Sequence, residues 1–211
     1  MEYRDYDPIQ PQGTNWRGIL RKIFTPVIVL FGLALKFGFF AFKFFGIFIS
    51  VGAYALIWGW RFAVGFVVLI FVHEMGHYVE AAREGLHPQW PRFIPLIGAY
   101  VKHLRGDAWQ TARVAIAGPF VGGLGAAAFW GIGEAQDSNL MRALGYSGFL
   151  LNGINLLPVG ILDGGAISKA WRQLRSEDQR GRAFAVGVMY VGTLALLVAG
   201  AYYSHVTQNR L

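Results

Sequence analysis

Four long apolar stretches are spaced along the chain, each close to the roughly 20 residues that a membrane-spanning helix needs. They cover about 62 to 82, 111 to 132, 144 to 162 and 183 to 203. Charged side chains are rare inside them, as is typical of segments whose solvent is the bilayer. The pattern predicts four transmembrane helices.

A fifth apolar region, residues 24–60, contains Lys36 and Lys43 and is open to two interpretations. The first is a basic amphipathic or interfacial lead-in over 24–43 followed by one span over 44–60, with both lysines reaching toward the headgroups. The second is two spans in a hairpin, which would reverse the side of the membrane on which the N-terminus lies. We favour the first.

The connector from about 86 to 107 breaks the helical pattern with three prolines. Its run Ile97 to Val101 alternates as a strand does, and predicts a small β element between the second and third spans. Non-helical backbone near a bilayer must pack on protein or line a wet cavity. The connector is therefore a candidate wall for a functional site.

Composition supports the same fold class, because 55% of the residues are hydrophobic and 15% are charged. The prediction is an all-α polytopic membrane protein with about five transmembrane helices and a small β element between the second and third. The predicted segments are a polar N-terminal tail over 1–23, the lead-in over 24–43, one integral-membrane domain over 44–205 and a short tail over 206–211.

The net charge of +7 comes from basic residues that stand singly beside apolar runs, without the continuous basic stripe that nucleic-acid binding needs. Basic residues concentrate in the tail, in the lead-in and in two of the four connectors, which places those segments in the cytoplasm. Nine of them lie in the two connectors: Arg83, Arg92, Lys102, Arg105, Lys169, Arg172, Arg175, Arg180 and Arg182. The charge pattern thus predicts a multi-pass protein with its chemical motifs toward the cytoplasmic side.

His73 and His77 are four residues apart, so on a helix both project from one face and can reach the same zinc ion. Glu74 beside them is a candidate general base. With five histidines and six glutamates in 211 residues, the pattern His-Glu-x-x-His arises by chance with an expectation of roughly 0.003. The alternative is a metal-free cluster, with the histidines hydrogen-bonded and Glu74 paired to one of them.

A catalytic zinc usually has three protein ligands, and the chain contains no cysteine. Most of the twelve acidic residues lie outside the apolar stretches, whereas Glu74 and Asp163 lie within or at the end of one, where an ionised carboxylate is costly unless a cation stabilises it. Asp163 is therefore the candidate third ligand. The alternative is a helix N-cap, because aspartate before two glycines is also an ordinary turn.

The motifs His73-Glu74-Met75-Gly76-His77, Asn155-x-x-Pro158 and Leu162-Asp163-Gly164-Gly165 resemble those of the site-2 protease family of intramembrane zinc proteases. Residues 94–99 and 117–119 are also similar, and the resemblance covers about 45 to 180. It implies that His73, His77 and Asp163 bind one zinc ion per chain, that Glu74 is the catalytic base and that Asn155 lies near the scissile peptide.

The resemblance further implies hydrolysis of a peptide bond within or near a transmembrane helix of a membrane-protein substrate. No segment is long and polar enough for the soluble substrate-selecting domain that several members carry. Two rivals remain: a non-catalytic membrane metal-binding protein or metal transporter, and an inactive relative that binds helices. Glu74→Gln would separate them, because only a protease has cleavage to lose.

The remaining histidines, His87, His103 and His205, have no partner at i+4 and are predicted to be surface or hydrogen-bonded residues. The small residues from Gly118 to Gly125 are predicted to let helices pack closely, in preference to forming a substrate groove. The sequence predicts neither the oligomeric state nor the identity of the substrate.

Overall fold

A computed structural model describes residues 16–94 and 96–208 of the chain as a set of helices with one small sheet. The elements in order are α1 Trp16–Trp58, α2 Trp60–Arg83, β1 Arg92–Ile94, β2 Gly98–Tyr100, α3 Ala108–Ala135, α4 Asn139–Asn155, α5 Asp163–Ser176 and α6 Arg180–Gln208. The predicted class, a helical membrane protein with a small β element, is confirmed.

The chain divides into two compact units, Met1–Lys43 and Phe44–Leu211. In the first unit the described residues belong to α1, which is helical through Pro26. The predicted polar tail lies mostly outside the described residues. The predicted segment limits, including the lead-in over 24–43 and the tail over 206–211, stay a prediction.

Three helices among the described residues are long and apolar enough to cross a membrane: α2, α3 and α6. The segment Gly46–Trp58 at the end of α1 is a shorter apolar helix. Gly59 separates it from α2 with a φ of 81°, a backbone conformation that glycine adopts without strain. The second, third and fifth predicted spans thus correspond to α2, α3 and α6.

The predicted fourth span, about 144 to 162, differs in the structure. Helix α4 begins at Asn139, where the Ser138 hydroxyl accepts a hydrogen bond from the amide of Met141, and it ends at Asn155. Residues 156–162 form a series of turns, with Pro158 and Gly160 among them. The apolar stretch is therefore a 17-residue helix followed by a non-helical segment.

The connector between α2 and α3 holds an antiparallel pair of strands, with Phe93 opposite Ala99. Strand β2 lies within the predicted alternating run, while β1 has no alternation of its own to predict it. Two further backbone hydrogen bonds join the two ends of the connector. The amide of Gln89 donates to the carbonyl of Lys102, and the amide of Leu104 donates to the carbonyl of Leu86. It is thus an ordered element against the helices.

Helix α3 packs against α2, α4, α5 and α6 and forms the centre of the second unit. Its small residues allow this: a Cβ on Gly123 would overlap Leu197 of α6, and one on Gly118 or Gly122 would overlap a polar side chain of α2 or α4. The packing role predicted for these glycines agrees with the structure. The consequence is that polar groups of three helices meet beside α3.

Candidate metal centre

His73 and His77 lie on one face of α2, and both are buried. Their Nε2 atoms are 3.1 Å apart, and their rings meet edge to face with centroids 4.7 Å apart. This is the arrangement that the spacing of four predicts for a helix. One nitrogen of each ring is therefore available to the same point in space.

Asp163 faces both histidines from the first residue of α5. Its Oδ2 lies 3.3 Å from Nε2 of His73, and its Oδ1 lies 3.3 Å from Nε2 of His77. The N-cap of α5 is Leu162, and no side chain caps the helix. The alternative interpretation of Asp163 as an N-cap is thus wrong, because its carboxylate points toward α2.

The turns of residues 156–162 bring Asp163 to this position. The amide of Leu162 donates to the carbonyl of Val159, and the amide of Gly165 donates to that of Leu162. A Cβ on Gly164 would overlap the carbonyl of Leu156. The two glycines after Asp163 are therefore needed for the close return of the chain.

The ionisation of Asp163 reflects this setting. Burial raises the pKa of its carboxyl group, but the positive charge of His77 in its protonated form and the hydrogen bonds that both rings donate when protonated at Nε2 outweigh that effect. The pKa of Asp163 consequently lies below its ordinary value. Positive charge between the three side chains is what keeps this buried carboxylate ionised.

The Nδ1 atoms of the two histidines face acceptors. His73 Nδ1 is 2.7 Å from the side-chain oxygen of Asn152, and His77 Nδ1 is 2.8 Å from the carbonyl oxygen of Val114. A carbonyl oxygen only accepts hydrogen bonds, so each Nδ1 carries the proton. In the neutral ring the Nε2 lone pair then points at Asp163 and is free to bind a metal.

These distances fit a metal ion. A tetrahedral zinc with bonds of about 2.0–2.1 Å places its ligand atoms about 3.3–3.4 Å apart. The two Nε2 atoms are 3.1 Å apart, and each lies 3.3 Å from a different carboxylate oxygen of Asp163. When both rings are neutral and protonated at Nδ1, the two Nε2 lone pairs and the carboxylate are acceptors without a donor, which a cation satisfies.

Glu74 completes the group. Its carboxylate and the imidazoles of His73 and His77 offer ligand atoms that all lie within 4.8 Å of one another, and all three residues are buried. Glu74 Oε2 is buried without a hydrogen-bond partner in the described part of the chain. The pairing of Glu74 with a histidine, which the metal-free alternative requires, is not among the described hydrogen bonds.

The group opens onto a cavity of about 350 Å³. Asn155 lines it at the end of α4, and β2 forms part of its wall, as predicted for the connector. Tyr54 of α1, His103 and Thr111 also line it, although the sequence analysis assigned them no such place. His103 is half-buried, and its Nδ1 donates to the carbonyl of Leu104 at 2.6 Å, in agreement with the hydrogen-bonded role predicted for it.

Asn152 is a residue in contact with His73 that no sequence pattern predicted. It lies three residues before Asn155 on α4, and its side chain is fully buried against His73. Glycine and asparagine both occur throughout this stretch, and nothing in the pattern distinguishes Asn152 from its neighbours. Only the packing of α4 on α2 brings it to the histidine.

An ion pair network ties the end of α2 to α3 near the site. The guanidinium of Arg113 contacts the carboxylates of Glu80 and Glu84, both at 2.5 Å. Glu80 is buried and follows His77 by about one helical turn. The network thus holds the turn of α2 that carries His77 against α3.

Comparison with known proteins adds one finding. Residues 61–137 match the profile of Peptidase family M50, the site-2 protease family. The match confirms the resemblance over α2, the small sheet and α3, including His73, Glu74 and His77, and it ends before Asn155 and Asp163. No curated protein and no solved structure shows a significant match to the chain.

Proposed function

Because residues 61–137 carry the sequence of Peptidase family M50, a family of membrane metalloproteases, we propose that the chain is an intramembrane zinc metalloprotease. Its reaction is hydrolysis of a peptide bond within or near a transmembrane helix of a membrane-protein substrate. The observation that carries the proposal is the close approach of His73, His77 and Asp163 beside the buried Oε2 of Glu74, which has no hydrogen-bond partner among the described residues.

The proposal gives each side chain a separate task. Nε2 of His73, Nε2 of His77 and the carboxylate of Asp163 would hold one zinc ion, which when bound would make a water molecule more acidic and polarise a peptide carbonyl. Glu74 would accept at Oε2 a proton of the water whose oxygen forms the new bond to the carbonyl carbon, and would deliver that proton to the leaving amine nitrogen as the C–N bond breaks. No covalent bond forms between the chain and the substrate.

Asn155 is proposed to bind the reacting peptide. Its side chain lines the same cavity as Glu74 and Asp163, and an amide N–H can donate to the oxygen of the scissile carbonyl as negative charge develops there. Asn155 has no task in holding the metal. Its loss should therefore lower the rate of cleavage and leave zinc binding unchanged.

The substrate must be extended at the bond that is cut, because the carbonyls of an intact helix are occupied by its own hydrogen bonds. Strand β2 pairs with β1 along one edge and contributes Gly98 to Tyr100 to the cavity wall. An unwound substrate segment could add to the sheet as a further strand. The bilayer and a transmembrane substrate are thus the proposed partners.

The site is proposed to face the cytoplasm. The connector from α2 to α3, the segment from α4 to α6 and the adjoining ends of α2 and α6 lie at the same end of the bundle. Together they contain the nine basic residues that predict a cytoplasmic location. At the opposite end, Arg142 is neutralised by contacts with Glu134 and Asp137, at 3.0 Å and 2.7 Å. The larger number of basic residues at the first end supports this orientation.

The test compares the full chain with Glu74→Gln in detergent or in liposomes. Zinc content is measured by elemental analysis, and cleavage is followed on single-span helical peptides with a glycine or proline near one end. We expect about one zinc per chain in both proteins and a loss of cleavage of about 10²–10⁴-fold in the variant.

Three results would decide against the proposal. Absence of zinc from the wild type would remove the metal centre and favour the metal-free hydrogen-bonded cluster. Zinc transport into liposomes without proteolysis would favour the transporter. Biological activity retained in Glu74→Gln would favour a helix-binding module without catalysis.

A further inference from the structure

Asn152 is a fully buried polar residue of α4 whose side chain reaches into the interface with α2. Its Oδ1 lies 2.7 Å from Nδ1 of His73, and its Nδ2 donates to the carbonyl of Gly148 at 2.7 Å. Both ends of the amide are therefore engaged. A buried amide satisfied at both ends is held in a single orientation.

We propose that Asn152 is a positioning residue that keeps His73 in the tautomer and ring orientation that bind the metal. The inference rests on the proposed metal centre and extends it by assigning a residue outside the ligand set. Partners of this kind, on the far nitrogen of a histidine ligand, raise metal affinity by about 10–100-fold.

The direction of the hydrogen bond follows from the anchor on Gly148. A carbonyl oxygen can only accept, so the amide group that faces Gly148 must be the NH₂ end of Asn152. The end that faces His73 is then the oxygen, which accepts from Nδ1–H. The neutral ring of His73 consequently keeps its lone pair on Nε2, toward Asp163.

The two histidines differ in what holds them. His77 donates to the backbone carbonyl of Val114, which every residue type at that position would supply. His73 depends on a side chain, so a substitution at Asn152 can remove its acceptor without altering a ligand. Substitution of Asn152 therefore tests the effect at His73, and His77 serves as the internal reference.

Helix α3 provides the space for this contact. A Cβ on Gly122 would overlap the amide of Asn152. Asn152 is therefore enclosed by Gly122 of α3, Gly148 of its own helix and His73 of α2. Gly122→Ala should displace the amide and weaken the metal site even though Gly122 touches no ligand.

The first experiment measures the zinc dissociation constant of the full chain in detergent by competition with a chromophoric chelator. Asn152→Leu, which has a similar shape and no acceptor, should bind zinc about 10–100-fold more weakly. Asn152→Asp, which keeps an acceptor oxygen, should bind more tightly than Asn152→Leu. Thr193→Val, which removes another buried polar group, on α6, should bind zinc as the wild type does.

The second experiment reads the tautomer itself and does not depend on metal or on activity. Ring ¹⁵N shifts of His73 in the zinc-free protein, assigned by difference from His73→Gln at a pH where the rings are neutral, should report Nδ1–H in the wild type. In Asn152→Leu the same ring should populate Nε2–H, while His77 keeps Nδ1–H. A purely structural role for Asn152 would change neither ring.

The outcomes separate the two proposals. A wild type without zinc would refute the metal centre and this inference with it. A wild type that binds zinc, together with an Asn152→Leu variant whose affinity is within about threefold and whose His73 tautomer is unchanged, would refute the role of Asn152 alone. In the double variant Gly122→Ala with Asn152→Leu, a loss in zinc-binding free energy equal to the sum of the two single losses would show that Gly122 does not act through Asn152.

Discussion

Gly118 of α3 lies against the imidazole of His77, so closely that a Cβ on Gly118 would overlap three atoms of the ring. The backbone of α3 at Gly118 is thus in direct contact with one of the proposed zinc ligands. The small-residue stretch of α3, which the sequence explains as close helix packing, also determines where a metal-binding side chain can lie.

Gly118→Ala should therefore weaken zinc binding by displacing His77. Overpacking of this kind costs about 1–3 kcal/mol, which corresponds to roughly 5–150-fold in affinity. The control is Gly131→Ala on the same helix, where a Cβ meets nothing within 4 Å. Gly131→Ala should keep wild-type zinc affinity, and an equal loss in both variants would contradict the prediction.

Asp163→Ala should lose zinc, because two histidines alone leave the usual set of three protein ligands incomplete. Elemental analysis should then find well under one zinc per chain. Asp178→Ala provides the control, since Asp178 is exposed and pairs only with Arg180 among the described residues. Full zinc occupancy in Asp163→Ala would show that the contacts of Asp163 with the histidines are structural.

Gly164, the residue after Asp163, should affect the proposed metal site through the backbone conformation of the turn. In Gly164→Ala the new Cβ would meet the carbonyl of Leu156, so the turn must open and carry Asp163 away from the histidines. We expect weaker zinc binding and slower cleavage together. Gly160→Ala in the same segment has open space around its Cβ and should change neither zinc binding nor cleavage. An equal loss in both variants would contradict the role of the contact between Gly164 and Leu156.

Arg113→Met should destabilise the fold near the site. It keeps an apolar side chain of similar length but leaves the buried carboxylate of Glu80 without the guanidinium, at a cost of about 1–3 kcal/mol. Thermal unfolding in detergent should show a lower midpoint. Adding Glu80→Gln should recover part of the loss, because no charge then remains buried at that position.

The reference for this experiment is Arg180→Met, which removes an ion pair that is exposed on both sides. Exposed pairs contribute about 0–1 kcal/mol, so its unfolding midpoint should stay near that of the wild type. Equal destabilisation by Arg113→Met and Arg180→Met would indicate that burial of Glu80 does not decide the effect.

The membrane class of the fold and the placing of His73 and His77 on one face could be predicted from sequence, because both depend on local regularities. Apolar length reports on a bilayer span, and a spacing of four reports on a helix face. The end of α4 could not be predicted in this way. Hydropathy continues through residues 156–162, and only the turns around Pro158 and Gly160 separate that segment from the helix.

The sequence by itself determined the two-histidine half of the proposed metal site, with Glu74 beside it, and it pointed to Asp163 because few acidic residues lie in the apolar stretches. Tertiary structure decided that Asp163 meets both imidazoles, that Asn152 rather than another residue of α4 accepts from His73, and that Gly118 and Gly122 leave room for these side chains. The physical reason is that a helix repeats its geometry over four residues, whereas contacts between helices depend on their relative position and rotation, which no local pattern encodes.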